Sequence, residues 1–171
     1  MPMPTRKLAG LAVSVLLALP LTAPIAANAD PARGPETLTQ ARYGGADSLA
    51  CLTEALYFEA RGEGRSGQRA VAEVILNRVD SGAFPNSVCG VVYQRGQFSY
   101  KKGLRMANAA AAARARQIAA DALAGAPRAL TDGATYFHTT AVRPSWSKRF
   151  TRTTKIGAHI FYRNGRRVAS N

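Results

Sequence analysis

The spacing of the apolar residues changes once along the chain, and this change constrains the fold more than any other feature. Between residues 47 and 124, apolar residues recur at helical spacing. Residues 134–140 and 155–163 are instead rich in aromatic and β-branched residues, which favour strands. The sequence therefore predicts an α+β fold that is mainly helical and carries a small C-terminal β-hairpin or sheet.

Turn and stop residues divide the helical part into four predicted helices. Gly62 can end the first, Ser81-Gly82 ends the second, and Gly125-Ala126-Pro127 ends the last. The last contains a run of alanines, which is the best helix-forming residue. The predicted helices cover residues 47–61, 67–79, a short stretch through 91–93, and 106–124. In the second helix, Arg69 and Glu73 lie four residues apart, which predicts a solvent-exposed ion pair.

The first 29 residues have the pattern of a signal peptide. Arg6 and Lys7 precede an apolar stretch over residues 8–21, and Ala27-Asn28-Ala29 is a small-residue cleavage site. The alternative is an uncleaved membrane anchor, which the helix-breaking prolines in the segment disfavour. We therefore expect the protein to be exported, to the periplasm or the medium, and associated with the cell wall.

The rest of the chain is long enough for one ordinary domain. Residues 30–45 are rich in glycine and proline and predict a flexible arm. Residues 46–165 form the predicted domain, and residues 166–171 form a tail. About 140 residues can build a single hydrophobic core but not two. We expect a monomer.

The chain is strongly basic, with a formal net charge of +13. Removing Arg6 and Lys7 from the 23 basic residues leaves 21 against 10 acidic ones, a net +11. This charge predicts a polyanionic partner. For an exported protein, the abundant anions are wall polymers and membrane surfaces, so we expect no specific nucleic-acid partner.

The chain contains two cysteines, Cys51 and Cys89. In an oxidising compartment, an even pair is most simply explained by one disulfide. Two buried free thiols are the alternative.

Glu59 occupies an unusual place for a carboxylate. On the first predicted helix it shares the apolar face with Leu52, Ala55 and Leu56. Burial disfavours the charged form and raises the pKa of a carboxyl group, so it can donate a proton near neutral pH. Glu59 is therefore a candidate general acid. The alternative is a structural carboxylate neutralised by a buried arginine, either Arg61 or Arg78.

A series of motifs resembles the bacterial cell wall hydrolases related to the spore-cortex-lytic enzyme. The resemblance covers about residues 46–163 in order. It implies a lysozyme-like fold that cleaves the glycan strands of peptidoglycan, with Glu59 as the catalytic acid. The motifs are Cys51-Leu52, Tyr57-Phe58-Glu59-Ala60-Arg61-Gly62-Glu63, Gly67-Gln68, Ala70-Val71-Ala72, Leu76-Asn77-Arg78-Val79, Phe84-Pro85-Asn86, Cys89-Gly90-Val91-Val92-Tyr93-Gln94, Gln97-Phe98-Ser99 and Ile156-Gly157-Ala158-His159-Ile160-Phe161-Tyr162.

The shortage of a second suitable carboxylate favours a single-acid mechanism. Ordinary glycosidases use two carboxylates across the scissile bond. With Glu59 alone, the same residue acts first as acid and then as base, which is lytic transglycosylase chemistry on the bond from N-acetylmuramic acid to N-acetylglucosamine. Muramidase-type hydrolysis of the same bond is an open alternative. Neither reaction requires a cofactor or a metal.

Other side chains are candidates for substrate binding, and two further functions remain alternatives. The candidate substrate-binding residues are Glu63, Gln97, Ser99, Tyr136, His138 and His159. Trp146 could stack on a sugar or pack on its own fold. A zinc-dependent amidase could use His138, His159 and a glutamate as ligands, although no zinc-binding spacing is present. A non-catalytic, basic wall-binding module would leave the position of Glu59 unexplained.

Overall fold

The computed structural model describes residues 43–98 and 100–165. The predicted signal peptide, most of the predicted arm, the predicted tail and Ser99 lie outside the described residues. The described part has four helices followed by three strands, with a 3₁₀ helix in the loop after the first strand. The elements are α1 (Ala46–Ala60), α2 (Arg65–Asp80), α3 (Val88–Val92), α4 (Ala109–Leu123), β1 (Tyr136–Thr139), the 3₁₀ helix (Ser145–Lys148), β2 (Thr151–Ile156) and β3 (His159–Arg163).

The helices pack around α1, which contacts α2, α3 and α4. The apolar positions of α1 that were predicted to share a face, Leu52, Ala55 and Leu56, are fully buried. The long α4 is capped by Asn108, whose side chain accepts a hydrogen bond from the backbone N–H of Ala111. Burial of these apolar faces is the main source of stability for the helical part.

A disulfide joins α1 to α3 through Cys51 and Cys89. The prediction of one disulfide is therefore confirmed, and the alternative of two free thiols is wrong. The bond closes a sequence separation of 38 residues, which includes the whole of α2. It therefore fixes the short α3 against the helix that carries Glu59.

The three strands form an antiparallel sheet in the order β1-β3-β2. The inner face of the sheet packs on α2, where Phe161 joins Ala70, Val74 and Ala134 in a small buried cluster. The prediction of an α+β fold with a small sheet is confirmed. The region from 155 to 163, however, contains a turn and parts of two strands rather than one strand.

That difference follows from the turn at Gly157-Ala158. Gly157 has a φ of +58°, a conformation that favours glycine, and it lets β2 fold back directly onto β3. Lys155 consequently pairs with Ile160 across the hairpin. The strand β2 also extends back to Thr151, ahead of the residues that were predicted to form a strand.

Glu73 contradicts the prediction of a solvent-exposed pair with Arg69. Its side chain is buried, and its carboxylate accepts hydrogen bonds from the N–H groups of Leu130 and Thr131 and from the Thr131 hydroxyl. Those bonds hold the segment after α4 against α2. The helical spacing alone did not indicate that a distant loop would return to this position.

Within residues 43–98 and 100–165, none of the helices combines the length and the apolar character that crossing a membrane requires.

Candidate active site

Glu59 lies at the last turn of α1, at the edge of the core. Its neighbours one turn earlier and directly after it, Leu56 and Ala60, are buried, whereas Glu59 itself is half-buried. The carboxylate thus stands at the boundary between a close-packed interior and the surface. A general acid needs this combination, because the site must be partly desolvated yet open to a substrate.

The segment that follows α3 is held against α1 by Glu54. The Tyr93 hydroxyl and the backbone N–H of Gly103 donate hydrogen bonds of 2.8 and 2.9 Å to the two oxygens of the Glu54 carboxylate. Burial, and then the hydrogen bond to Glu54, raises the pKa of Tyr93 to about 12. Glu54 therefore acts as an anchor for the segment between residues 93 and 103.

Tyr100 brings that segment next to Glu59. Its ring stacks on Phe58 with the centroids 4.9 Å apart. Its hydroxyl is buried and has no hydrogen-bond partner among the described residues. Burial, then the charge of Glu54, and to a smaller extent Tyr93 and Glu59, raise the pKa of Tyr100. A neutral hydroxyl that can donate a hydrogen bond therefore lies within electrostatic reach of Glu59.

Arg78 lies between the same segment and the sheet. Its guanidinium carbon is 6.0 Å from the centre of the Phe98 ring and 5.9 Å from that of Tyr136. Its Nε donates a 2.6 Å hydrogen bond to the carbonyl of Thr135, while Nη1 is buried without a hydrogen-bond partner in the described part of the chain. Burial lowers the pKa of Arg78 to about 10, so the group stays charged at neutral pH.

Glu63 and His159, both predicted to bind substrate, are brought together by the fold. The Glu63 carboxylate accepts hydrogen bonds from the backbone N–H of Ala158, at 3.2 and 3.3 Å. One of its oxygens is 3.4 Å from Nδ1 of His159. That distance is short enough for an ion pair, but the geometry is not that of a hydrogen bond. Nδ1 of His159 makes no hydrogen bond with any described residue. The contact joins the turn after α1 to the β2–β3 hairpin.

Two glycines make room for the Glu63 side chain. A Cβ atom on Gly157 would collide with the carboxylate, and one on Gly67 would lie 2.8 Å from the Cβ of Glu63. His159 itself is only 3% exposed. Burial lowers its pKa, more than the nearby Glu63 raises it, and His138 lowers it further. The ring is therefore neutral at neutral pH.

Tyr136 and His138 lie on the outer face of the sheet, and the Tyr136 ring, at the start of β1, also lies 5.9 Å from the Arg78 guanidinium of α2. His138 pairs with Ile160 in the β1–β3 register, and His159 pairs with Thr139. Neighbouring residues of a strand point to opposite faces, so the two histidines lie on opposite faces of the sheet. This arrangement does not form the histidine pair that the amidase alternative requires.

An aromatic layer covers the outer face. Trp146 packs against His138 and Tyr162, with ring centroids 5.6 and 5.5 Å apart, and also against Tyr136. Trp146 was predicted either to stack on a sugar or to pack on its own fold. In the structure its ring packs on its own fold. Tyr136 also lines a cavity of about 440 Å³ together with Phe84.

The remaining predicted site residues lie in the segment after α3. Gln97 is half-buried, and its backbone N–H donates to the carbonyl of Gln94. Ser99 is outside the described residues. The substrate-binding roles of these residues, and those of the other candidates, stay predictions.

Three residues that shape the site were not singled out for it from the sequence. Glu54 and Tyr100 were not among the predicted site residues, and Arg78 was considered only as a counter-charge. The signals were present, because a tyrosine follows the Gln-Phe-Ser motif and Arg78 lies amid buried positions of α2. Only the fold, however, shows which segments meet.

Three other described acidic side chains, on α2, on α4 and in the loop before β1, have structural partners. Asp80 accepts from the Tyr43 hydroxyl and pairs with Arg128, at 2.8 Å. Asp121 accepts from Gln117. Asp132 pairs with Arg163. These positions supply no second carboxylate beside Glu59.

Comparison with known families gives a match over most of the described chain. The model of the Cell Wall Hydrolase family matches residues 62–162. The match begins three residues after Glu59, so it covers the sheet and three of the helices but not that carboxylate.

Curated relatives carry the name spore cortex-lytic enzyme. The protein of Halalkalibacterium halodurans is 35% identical over 116 residues, which is 67% of this chain and 34% of the relative. That of Bacillus subtilis is 52% identical over 48 residues, or 28% of this chain and 16% of the relative. This chain therefore spans about a third or less of the length of these two relatives.

Two solved structures have similar folds. The catalytic domain of the Bacillus cereus SleB protein aligns with a TM-score of 0.54 and 32% identity, covering 67% of this chain and 88% of that domain. The catalytic domain of the germination-specific lytic transglycosylase SleB from Bacillus anthracis aligns with a TM-score of 0.57 and 31% identity, covering 70% and 96%. The predicted lysozyme-like fold is confirmed.

Proposed function

Because this chain belongs to the Cell Wall Hydrolase family, we propose that it cleaves the glycan strands of peptidoglycan as a lytic transglycosylase, with Glu59 as the only acid-base group. The SleB domain of Bacillus anthracis, which has a similar fold, is described as a lytic transglycosylase. The single observation that supports the proposal best is the position of Glu59, half-buried at the end of α1 beside the unbonded Tyr100 hydroxyl.

The reaction needs one carboxyl group in two protonation states. Glu59 in its acid form donates a proton to the glycosidic oxygen as the bond to the anomeric carbon breaks. The substrate's own N-acetyl oxygen stabilises the positive charge that develops at that carbon. The Glu59 carboxylate then removes the proton from the C6 hydroxyl, whose oxygen closes a 1,6-anhydro ring. The proton that Glu59 gave up is thereby restored.

Tyr100 and Arg78 are proposed to orient the sugar. A buried hydroxyl without a partner costs free energy unless a ligand supplies an acceptor. The Tyr100 hydroxyl and the free Nη1 of Arg78 are both donors of this kind. Carbonyl and hydroxyl oxygens of an N-acetylated sugar are suitable acceptors, so substrate binding would satisfy both groups.

Glu63 and His159 are proposed to position the site rather than to react. Their contact with the Gly157-Ala158 turn fixes the sheet relative to the end of α1. Because His159 is buried, its part in substrate binding would be indirect. The proposed location outside the cytoplasm, in contact with wall, follows from this substrate and from the predicted signal peptide.

Mass spectrometry of digested, purified peptidoglycan tests the proposal. A lytic transglycosylase leaves 1,6-anhydro ends, a muramidase leaves reducing ends, and an amidase releases peptides from intact glycan. We expect anhydro ends, with the same yield in the presence of a chelator, because the proposed steps use only Glu59 and the substrate. Released peptides, lost on chelation and restored by zinc, would contradict the proposal.

A further inference from the structure

The outer face of the sheet carries a basic pocket that the proposed reaction does not use. Its volume is about 410 Å³, within the usual range for small-ligand sites. The three strands and the loop with the 3₁₀ helix each contribute to it. The basic pocket is lined by His138, Thr140, Val142, Arg143, Pro144, Ser147, Lys148, Arg152, Ile160 and Tyr162.

The charge of the basic pocket is unbalanced. Arg143, Lys148 and Arg152 line it, and its lining includes no carboxylate. No ion pair within the described part of the chain involves any of the three cations. Three cations gathered around one concavity repel each other unless an anion lies between them, so the arrangement favours an anionic ligand.

The floor of the basic pocket is held in place by hydrogen bonds and ring contacts. Nδ1 of His138 is 2.8 Å from the carbonyl of Thr139, which can only accept, so Nδ1 carries the proton. In the neutral ring Nε2 then accepts a hydrogen bond from the Tyr162 hydroxyl, at 3.0 Å. The His138 and Tyr162 rings stack 5.2 Å apart. On the rim, the Ser147 hydroxyl donates to the carbonyl of Pro144. A pre-formed floor lowers the entropy cost of binding.

The basic pocket is also connected to the proposed active site. His138 lies two residues after Tyr136 on the same face of β1, and Trp146 contacts both rings. Tyr136 in turn reaches the Arg78 guanidinium. A substrate in contact with Tyr136 could therefore extend a branch along the outer face of the sheet.

We propose that the basic pocket binds carboxylate groups of the acidic peptide stems that branch from peptidoglycan strands, an inference that rests on the proposed function. Arginine forks bind carboxylates through two parallel hydrogen bonds, and Arg143 and Arg152 supply two such groups. A stem of four or five residues spans roughly 15 Å when extended. The pocket is thus a specificity site for peptide-bearing glycan, separate from the residues that cut it.

Direct binding to the peptide tests this proposal without any cleavage step. The probe is the stem peptide released from peptidoglycan by an amidase, titrated calorimetrically into the full chain. We expect Arg143→Ala/Arg152→Ala to weaken binding about tenfold, because hydrogen bonds to charged groups are lost. When its carboxylates are amidated, the peptide should bind the unaltered protein about as weakly as the unmodified peptide binds the double variant.

A matched control separates the pocket from overall charge. Arg69→Ala/Arg116→Ala removes the same charge from exposed positions on α2 and α4 that do not line the basic pocket, and should change binding less than twofold. Equal loss in both double variants, equal binding of the amidated peptide, or no binding of either peptide would overturn the assignment. If Arg143→Ala/Arg152→Ala instead loses binding to anionic phospholipid vesicles and keeps its binding of the peptide, the assignment is also overturned, and the pocket is a membrane contact.

Kinetics separate failure of this inference from failure of the proposed function. On peptide-bearing strands the pocket variant should raise KM about tenfold with kcat unchanged, whereas on strands stripped of peptide it should match the unaltered protein. If the pocket substitutions change cleavage of the peptide-bearing and the stripped strands equally, or change neither, the pocket proposal alone is overturned. Absence of glycan cleavage would overturn the proposed function, while the peptide titration would still decide the pocket.

Discussion

The helices and the sheet differ in how they are held together. Around α1, a large cluster of fully buried side chains and a disulfide fix the helices. The sheet has a much smaller apolar cluster on its inner face and an aromatic layer with a basic rim on its outer face. The helical part thus supplies a rigid support for Glu59, while the outer face of the sheet carries the proposed basic pocket. If that proposal holds, substitutions on the sheet should change substrate specificity with little effect on stability.

Truncation of a core leucine should show the largest difference between the two regions. Leu56 is fully buried on α1, so Leu56→Ala should lower the free energy of unfolding by about 3 to 5 kcal/mol, through lost burial and the cavity left behind. Ile160→Ala, at a half-buried position on the outer sheet face, should cost about 1 to 2 kcal/mol. Urea denaturation measures both. Equal losses would show that the sheet is packed as tightly as the helices.

Removal of the disulfide should destabilise the helical part almost as much. Cys51→Ala/Cys89→Ala opens a loop with a sequence separation of 38 residues, which on the chain-entropy model costs about 3 to 4 kcal/mol. Thermal unfolding with and without reductant provides the measurement. The reductant should lower the melting temperature of the unaltered protein and leave that of the double variant unchanged. A reductant effect on both would mean that it acts through something other than this bond.

The contact between the two regions should respond to one added methyl group. Gly157→Ala places a Cβ in the left-handed region and against the Glu63 carboxylate, and should cost about 2 to 4 kcal/mol. Gly133→Ala is the matched control, because Gly133 has a similar φ of +69° but open space around it, and should cost about 1 kcal/mol. If the two variants are equally stable, Glu63 does not occupy a restricted space.

The smallest effect expected is a dependence of stability on pH at the same contact. The pKa of His159 is lowered in the fold from its usual 6.5, so the unfolded chain takes up a proton first as the pH falls. The stability that the neutral His159 contributes is therefore fully present above pH 6.5. It is lost as the pH falls below 6.5, by at most about 1.4 kcal/mol per pH unit. His159→Gln should flatten the slope below pH 6.5. An NMR titration that gives His159 a pKa above 6.5 would contradict the sign.

Sequence periodicity predicted the helices well because it follows directly from burial. The prediction for α1 covered residues 47–61, and the helix is Ala46–Ala60; that for α4 covered 106–124, and the helix is Ala109–Leu123. The predicted burial of Leu52, Ala55 and Leu56, which share a face of α1 with Glu59, is also confirmed, as is the predicted disulfide. Each of these features depends on local pattern or on residue chemistry, which the sequence contains.

Contacts between distant segments could not be predicted in the same way. The strand β2 was missed at its start because Thr151 and its neighbours are polar and basic, and an outer strand need not be apolar. Glu73 was placed in solvent because nothing in α2 indicates that Thr131 returns to it. Tyr100 was overlooked for the same reason, since its role depends on Glu54 anchoring its segment.

The central claim is that Glu59 alone provides acid-base catalysis, and turnover of the Glu59→Gln variant on purified peptidoglycan tests it most directly. Glutamine keeps the shape but cannot donate the proton, so release of anhydro-ended fragments should fall by at least about 100-fold while the melting temperature is unchanged. Glu63→Gln should be milder, and Asp121→Asn, exposed on α4, should behave as the unaltered protein. A Glu59→Gln variant with normal turnover would contradict the account.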